Sequence, residues 1–277
     1  MSQVVPTVRL EHGTSIPQIG VGTSPMLDQE AERAVASAIE VGYRLIDTAE
    51  NYRNEVGVGR GIKASGAKRE DLFITSKFNK DHHSVGGVRA AFEASVQKLG
   101  VEYLDLLLIH WPNPAQDRYV DAWRGLVALR EAGLVRAIGV SNFKPAQLQR
   151  LIDETGVVPE VNQIQLSPYW TRDDARAFHA EHGIVTEGWS PLGKRTNLLE
   201  HPKVAEIANA HGKTPGQVIL RWHVELNVVP IPKSQDPQRL AQNLEVFDFE
   251  LTDDQIAALS ALDGQATEVV DSDSFGH

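Results

Sequence analysis

The sequence predicts an α/β protein, a (β/α)8 TIM barrel with a short hairpin closing its bottom and extra helices late in the chain. Three observations carry this. Eight short β-rich runs alternate with helix-period segments along the whole chain, the pattern of parallel strands with covering helices. The run at 104–110, LDLLLIH, is almost continuously apolar, as expected when protein covers both faces of a strand. A length of 277 residues, 42% of them apolar, suits one barrel of this kind.

The elements follow in order. Residues 8–10 and 15–16 flank the turn-forming pair His12-Gly13, so a hairpin is expected ahead of the barrel. Barrel strands are expected at 18–23, 44–47, 72–77, 104–110, 137–140, 161–164, 185–189 and 228–231. Helices are expected at 28–41, 55–65, 85–99, 119–131, 145–155, 172–182, 202–211 with 214–225, and 237–246. In 85–99, Val88, Phe92, Val96 and Leu99 recur at helical spacing and place one stripe against the sheet. The glycines at 20–22 and 57–61 do not form G-x-G-x-x-G and are read as turn and close-packing positions. No composition break divides the chain, so a single domain over 1–277 is expected, ending in a polar, acidic stretch at 264–277. That stretch is either a mobile tail or a loop over the site.

A formal charge of -10 with no Lys/Arg run argues against nucleic acid, which demands a basic surface. Any anionic ligand must be held by local charges. The absence of cysteine excludes disulfides, thiolate metal sites and Cys nucleophiles. No window approaches the roughly 18 apolar residues that span a bilayer, and residues 1–10 do not resemble a signal peptide. A cytoplasmic monomer without membrane partners is expected. His82, His83, His179, His182, His201, His211 and His223 lack a carboxylate partner at ligand spacing, so they are read as surface or packing residues and no metal is expected.

In such a barrel the chemistry gathers at the C-terminal ends of the strands. Asp47, Lys77 and His110 end successive predicted strands, and Tyr52 follows Asp47 by five residues. An ammonium beside a phenol stabilises phenolate and is expected to lower the tyrosine pKa from about 10. Asp47 would keep Lys77 charged and oriented, and His110 could donate to a carbonyl oxygen. Alone, each residue has a structural reading as ion pair, packing ring or core histidine. A rival enzymatic reading makes Lys77 a Schiff-base nucleophile of aldolase type.

Gly42-Tyr43-Arg44-Leu45-Ile46-Asp47-Thr48-Ala49, followed by Glu55 and Val58-Gly59, resembles the first signature of the aldo-keto reductases. Arg136-Ala137-Ile138-Gly139-Val140-Ser141-Asn142-Phe143 resembles the second, and Ile231-Pro232-Lys233-Ser234 with Arg239, Gln242 and Asn243 the third. Val158-Pro159-Glu160-Val161-Asn162-Gln163-Ile164 and Phe247-Asp248-Phe249-Glu250-Leu251-Thr252 look most like the family's short bacterial members, including 2,5-diketo-D-gluconate reductases. The resemblance implies a catalytic tetrad of Asp47, Tyr52, Lys77 and His110, NADPH as cofactor, and reduction of an aldehyde or ketone to an alcohol with Tyr52 as proton donor.

By the same resemblance, Ser141, Asn142 and Gln163 hold the nicotinamide carboxamide and Trp189 stacks on its ring. Ser190 and Leu192 fall in the pyrophosphate-spanning loop. Lys233, Ser234 and Arg239 surround the adenosine 2′-phosphate, two cations and a hydroxyl suiting a dianion. Asn243 matches the adenine contact, whereas Gln242 stands where many relatives carry Glu. Ser24 and Asn79 replace tryptophans of many relatives and Ser167 a histidine. The substrate pocket is therefore expected to be less aromatic, formed by Ser24, Met26, Phe78, Asn79, Trp111 and Trp170, and to take small polar aldehydes, dicarbonyls or keto-sugars. A cofactor-binding sensor or scaffold of the same fold is the alternative outside enzymology.

Overall fold

Period-two strands and period-3.6 helices alternate because each apolar strand needs a helix to cover its outer face. The computed structural model describes residues 5–266 and 270–277. A hairpin comes first, β1 (Thr7–Arg9) pairing antiparallel with β2 (Ser15–Pro17). The barrel strands are β3 (Gly20–Gly22), β4 (Leu45–Asp47), β5 (Phe73–Phe78), β6 (Leu104–Ile109), β7 (Val135–Ser141), β8 (Val161–Gln165), β9 (Val185–Trp189) and β10 (Val228–Ile231). They run parallel in sequence order, and the Gly22 N–H donates to Pro232 O at 3.0 Å where the last strand meets the first.

Covering helices are α1 (Asp28–Val41), α2 (Glu55–Ser65), α3 (Val85–Leu99), α4 (Tyr119–Glu131), α5 (Pro145–Thr155), α6 (Asp173–Glu181), α7 (Pro202–His211), α8 (Pro215–Glu225), α9 (Pro237–Leu244) and α10 (Asp253–Ser260). The last of these was not anticipated from apolar periodicity. It starts at a reciprocal cap, in which Gln255 N donates to Thr252 Oγ1 and Thr252 N to Gln255 Oε1, a T-x-x-Q pattern visible in the sequence.

Two apolar layers result. Outward-facing strand residues such as Ile46, Ile74 and Leu107 pack under the helices, while Leu45, Leu106, Leu108 and Val229 fill the interior together with Leu10 and Ile16 of the hairpin segment. The hairpin thus plugs the bottom of the barrel and leaves the other end for chemistry. The glycines of α2 are close-packing positions, as expected: a Cβ on Gly57 would lie 1.9 Å from Asp28 O, and one on Gly59 2.3 Å from Leu99 O. Among the described residues, no helix is long and apolar enough to cross a membrane.

Candidate active site

Asp47 is the last residue of β4 and pairs in register with Thr75 of β5, so Lys77, two residues further, projects to the same inner face. Its Nζ lies 2.7 and 2.8 Å from the Asp47 carboxylate oxygens, 3.0 Å from Thr48 O and 3.5 Å from Tyr52 Oη. Tyr52 is carried there by a single 3-10 turn, Glu50–Tyr52, that leaves the end of β4. The His110 ring, just past β6, stands edge-on to the Tyr52 ring with centroids 5.7 Å apart. The phenol therefore sits between an ammonium and an imidazole.

The electrostatics follow from dryness. Burial alone would drive the Lys77 ammonium down, but Asp47, with Tyr52 and Glu187, holds its pKa above the ordinary value. Burial pushes the Tyr52 phenol up, with Lys77 pulling against it. This corrects the expectation of a lowered Tyr52 pKa: the charge attraction is present, but lost hydration outweighs it. His110 is held well below 6.5 by burial, then by Lys77 and His277, and is a neutral imidazole.

Beyond these residues the strand ends are laced sideways. Ser141 Oγ donates to Gln163 O at 2.8 Å, and Asn142 Nδ2 donates to His110 O at 3.1 Å and to Ser141 Oγ at 2.9 Å. Trp189 Nε1 donates to Asn142 Oδ1 at 2.8 Å, which fixes the indole plane. Asn142 and Ser190 both take left-handed backbone, φ 64° and 51°, uncommon for side-chain-bearing residues and concentrated at functional turns. These groups line a cavity of about 550 Å³ that also contains Asp47, Tyr52 and His110 and extends along Ser190–Thr196 to Lys233. A larger cavity of about 860 Å³ beside it contains none of Asp47, Tyr52, Lys77 or His110.

A family model described as "Aldo/keto reductase family" matches residues 16–263. The chain belongs to the aldo/keto reductase family. It is 49% identical over 259 residues to a 2,5-diketo-D-gluconic acid reductase B of a Corynebacterium species, covering 94% of each chain. It is 46% identical over 273 residues to the methylglyoxal reductase DkgA of Yersinia pestis, covering 98% of each. Among solved structures, a Bombyx mori aldo-keto reductase in complex with NADP superposes with a TM-score of 0.90 at 36% identity, over 97% of this chain and 96% of that one.

Not every predicted site residue of this aldo/keto reductase reaches the cavity. Ser24 and Trp111 line it. Met26 and Phe78 lie instead in the core between helices and sheet. Lys77 points inward, so strand alternation turns Phe78 outward, edge-on to His83. Asn79 turns aside to donate to Asn51 Oδ1 at 3.2 Å, and Trp170 lines the larger neighbouring cavity. Lys233 lines the cavity, as do Ser190 and Leu192, but Ser234, Arg239, Gln242 and Asn243 do not. Ser234 Oγ accepts from Asp236 N at 3.1 Å, and Arg239 sits 3.8 Å from Asp236 in an exposed position.

Other residues were missed. Lys194, Arg195 and Thr196 line the cavity beyond Gly193, and the Lys-Arg pair was the available signal. His277 also lines it, its ring edge-on to His110 at 4.8 Å, while Phe275 stands against Trp111 at 4.8 Å. The end of the chain is fastened by Lys144, whose Nζ contacts Asp271 at 2.6 Å and also Asp273, and by Gln147 Nε2 donating to Asp273 Oδ1 at 2.9 Å. Residues 270–277 therefore lie across the strand ends, while 267–269 of the expected tail fall outside the described residues. Glu187, the middle of β9, is a further buried carboxyl at 2.9 Å from Gln163 Nε2.

Proposed function

We propose that this chain reduces aldehydes or ketones to alcohols with NADPH, Tyr52 giving the proton. The observation that carries this is Tyr52 Oη in the cavity wall, backed by the buried Lys77–Asp47 pair and flanked by a neutral His110. The donor set fits a dinucleotide. Ser141, Asn142 and Gln163 offer hydroxyl and amide groups to a carboxamide, Trp189 offers a fixed aromatic face, and Lys194, Arg195 and Lys233 offer cations to phosphates. Ser234 and Arg239, next along the chain, are assigned to the 2′-phosphate, with Gln242 and Asn243 towards the adenine.

When bound, the dinucleotide supplies a hydride to the carbonyl carbon. Tyr52 Oη transfers its proton to the carbonyl oxygen, and Lys77 stabilises the phenolate left behind. His110 donates a hydrogen bond to the same oxygen and orients it. Ser24 and His277 bring polar groups to the cavity wall beside Trp111, which suits small polar aldehydes, dicarbonyls or keto-sugars, the last two being the kinds of substrate named for the relatives. Every group invoked comes from one chain, so the unit would work as a monomer, in the cytosol where NADPH is supplied. A Schiff-base role for Lys77 finds no support: its side chain is fully buried, clamped by Asp47 and absent from the cavity lining.

Reduction of methylglyoxal, a keto-sugar acid and simple aldehydes with NADPH deuterated at C4 tests the reading. Deuterium is expected on the new carbinol carbon. Cofactor binding without NADPH oxidation across this panel would make the chain a sensor or scaffold instead.

A further inference from the structure

Glu187 takes no part in the steps above, yet its carboxyl is fully buried and shares a hydrogen-bond donor with Asp47. In register with Gln163 across β8 and β9, it accepts a hydrogen bond from Gln163 Nε2 at 2.9 Å, and the same nitrogen donates to Asp47 Oδ2 at 2.8 Å. One amide nitrogen, with its two hydrogens, thus bridges two carboxyl groups. Glu187 Oε1 has no partner among the described residues.

The charges facing Glu187 are Asp47 from β4 and Lys77 from β5, the latter with its Nζ 3.5 Å from Tyr52 Oη. From β10 its register neighbour is the apolar Val229, and His223 of α8 packs on the outer side of β9 against Gly188. Lys77 and Asp47 already balance. A second carboxylate would leave the dry interior with an uncompensated negative charge, which burial strongly opposes. Asp47 accepts from an ammonium on both oxygens and from Gln163, whereas Glu187 accepts from a neutral amide alone. The proton therefore belongs on Glu187.

We propose that Glu187 is a positioning residue for the reductase reaction inferred above: as a neutral acid it orients the Gln163 amide, and its ionisation makes Tyr52 a weaker proton donor. With Nε2 committed to two carboxyl groups, Gln163 is left to present Oε1 to the cavity, the acceptor a carboxamide N–H requires. Loss of the Glu187 proton adds a negative charge beside Asp47 and Lys77, which opposes formation of the Tyr52 phenolate. Burial, with the Asp47 charge, pushes the Glu187 carboxyl up to about 8, against the pull of Gln163 and Lys77.

The test compares the wild type with Glu187→Gln, which can accept from Gln163 but cannot ionise, and Glu187→Ala, which does neither. The infrared carbonyl band of a protonated carboxylic acid is expected in the wild type at pH 7, fading through about pH 8 and missing from Glu187→Gln. With saturating NADPH, kcat/KM for methylglyoxal should fall about threefold or more above pH 8 in the wild type, and by half that or less in Glu187→Gln. Glu187→Ala should raise the NADPH Kd about fivefold, and Glu187→Gln should restore it. Absence of the band from the wild type at pH 7, or superimposable pH profiles for wild type and Glu187→Gln, overturns the proposal. Should the wild type reduce no carbonyl, the reductase reading fails by itself. The infrared and NADPH-binding arms then still decide whether Glu187 is protonated and whether it orients Gln163.

Discussion

Lys77 illustrates how one buried side chain does two jobs. Its ammonium satisfies Asp47 in a place water does not reach, and it is the charge against which a Tyr52 phenolate would form. Lys77→Met should therefore cut turnover about 100-fold or more and also lower the melting temperature, because breaking a buried pair from one side costs about 3–5 kcal/mol. Adding Asp47→Asn should return most of the stability and none of the turnover, as read by calorimetry and NADPH oxidation; recovery of both would deny Lys77 its role toward Tyr52. The sequence displays these residues because each is a polar end to an apolar strand. It hides the direction of the Tyr52 shift, which depends on burial, and it hides Glu187, a lone carboxyl in VTEGW whose meaning depends on its register with Gln163.

Residues 270–277, the last described segment, are held to the barrel by ion pairs and by aromatic contact. The ion pairs to Lys144 lie in half-exposed positions, where such pairs contribute about 1 kcal/mol at most. Docking should depend more on buried Ser272 and on Phe275 against Trp111. Phe275→Ser is accordingly expected to raise KM for small carbonyls about fivefold while NADPH affinity, measured by fluorescence, stays within about twofold, and Lys144→Ala to do less than either. Equal effects of Phe275→Ser on both ligands would mean that the segment supports the whole site rather than its substrate end. Elements built from local pattern were legible, from the His12-Gly13 hairpin to the apolar run of β6. For 264–277 the sequence left a mobile tail and a loop over the site both open, because the contacts of 270–277 are with Trp111, Lys144 and His110, far away in sequence. Met26 and Phe78 were misplaced for other reasons: Met26 lies in the loop between β3 and α1, where no periodicity tells which way a side chain faces, and Phe78 follows inward-pointing Lys77 and so takes the opposite face of β5.

For the whole molecule, stability should be sensitive to acid. His179 is buried with Asn162 Nδ2 at 2.9 Å from Nε2 and Thr186 Oγ1 at 2.8 Å from Nδ1, so protonating Nε2 would cost it the hydrogen bond that Asn162 donates. Burial, then nearby Arg176, lowers His179 to about 4, and burial, then His82, lowers His83 to about 4. Between about 4 and 6.5 the unfolded chain then binds more protons than the folded one, so stability falls as pH drops through that window. Glu187, raised to about 8, has the opposite sign and offsets part of the loss. Calorimetry from pH 7 to 4 should show a falling melting temperature, with a shallower fall in His179→Gln; a flat profile would place these imidazoles in contact with water.

Tyr52→Phe separates proton donation from every other role of this side chain. Removing one oxygen should leave NADPH binding within about twofold, seen as a nicotinamide fluorescence change, and reduce kcat for methylglyoxal by about 100-fold or more. Retention of most of the wild-type kcat would show that Tyr52 is not the proton donor and move that role elsewhere in the cavity.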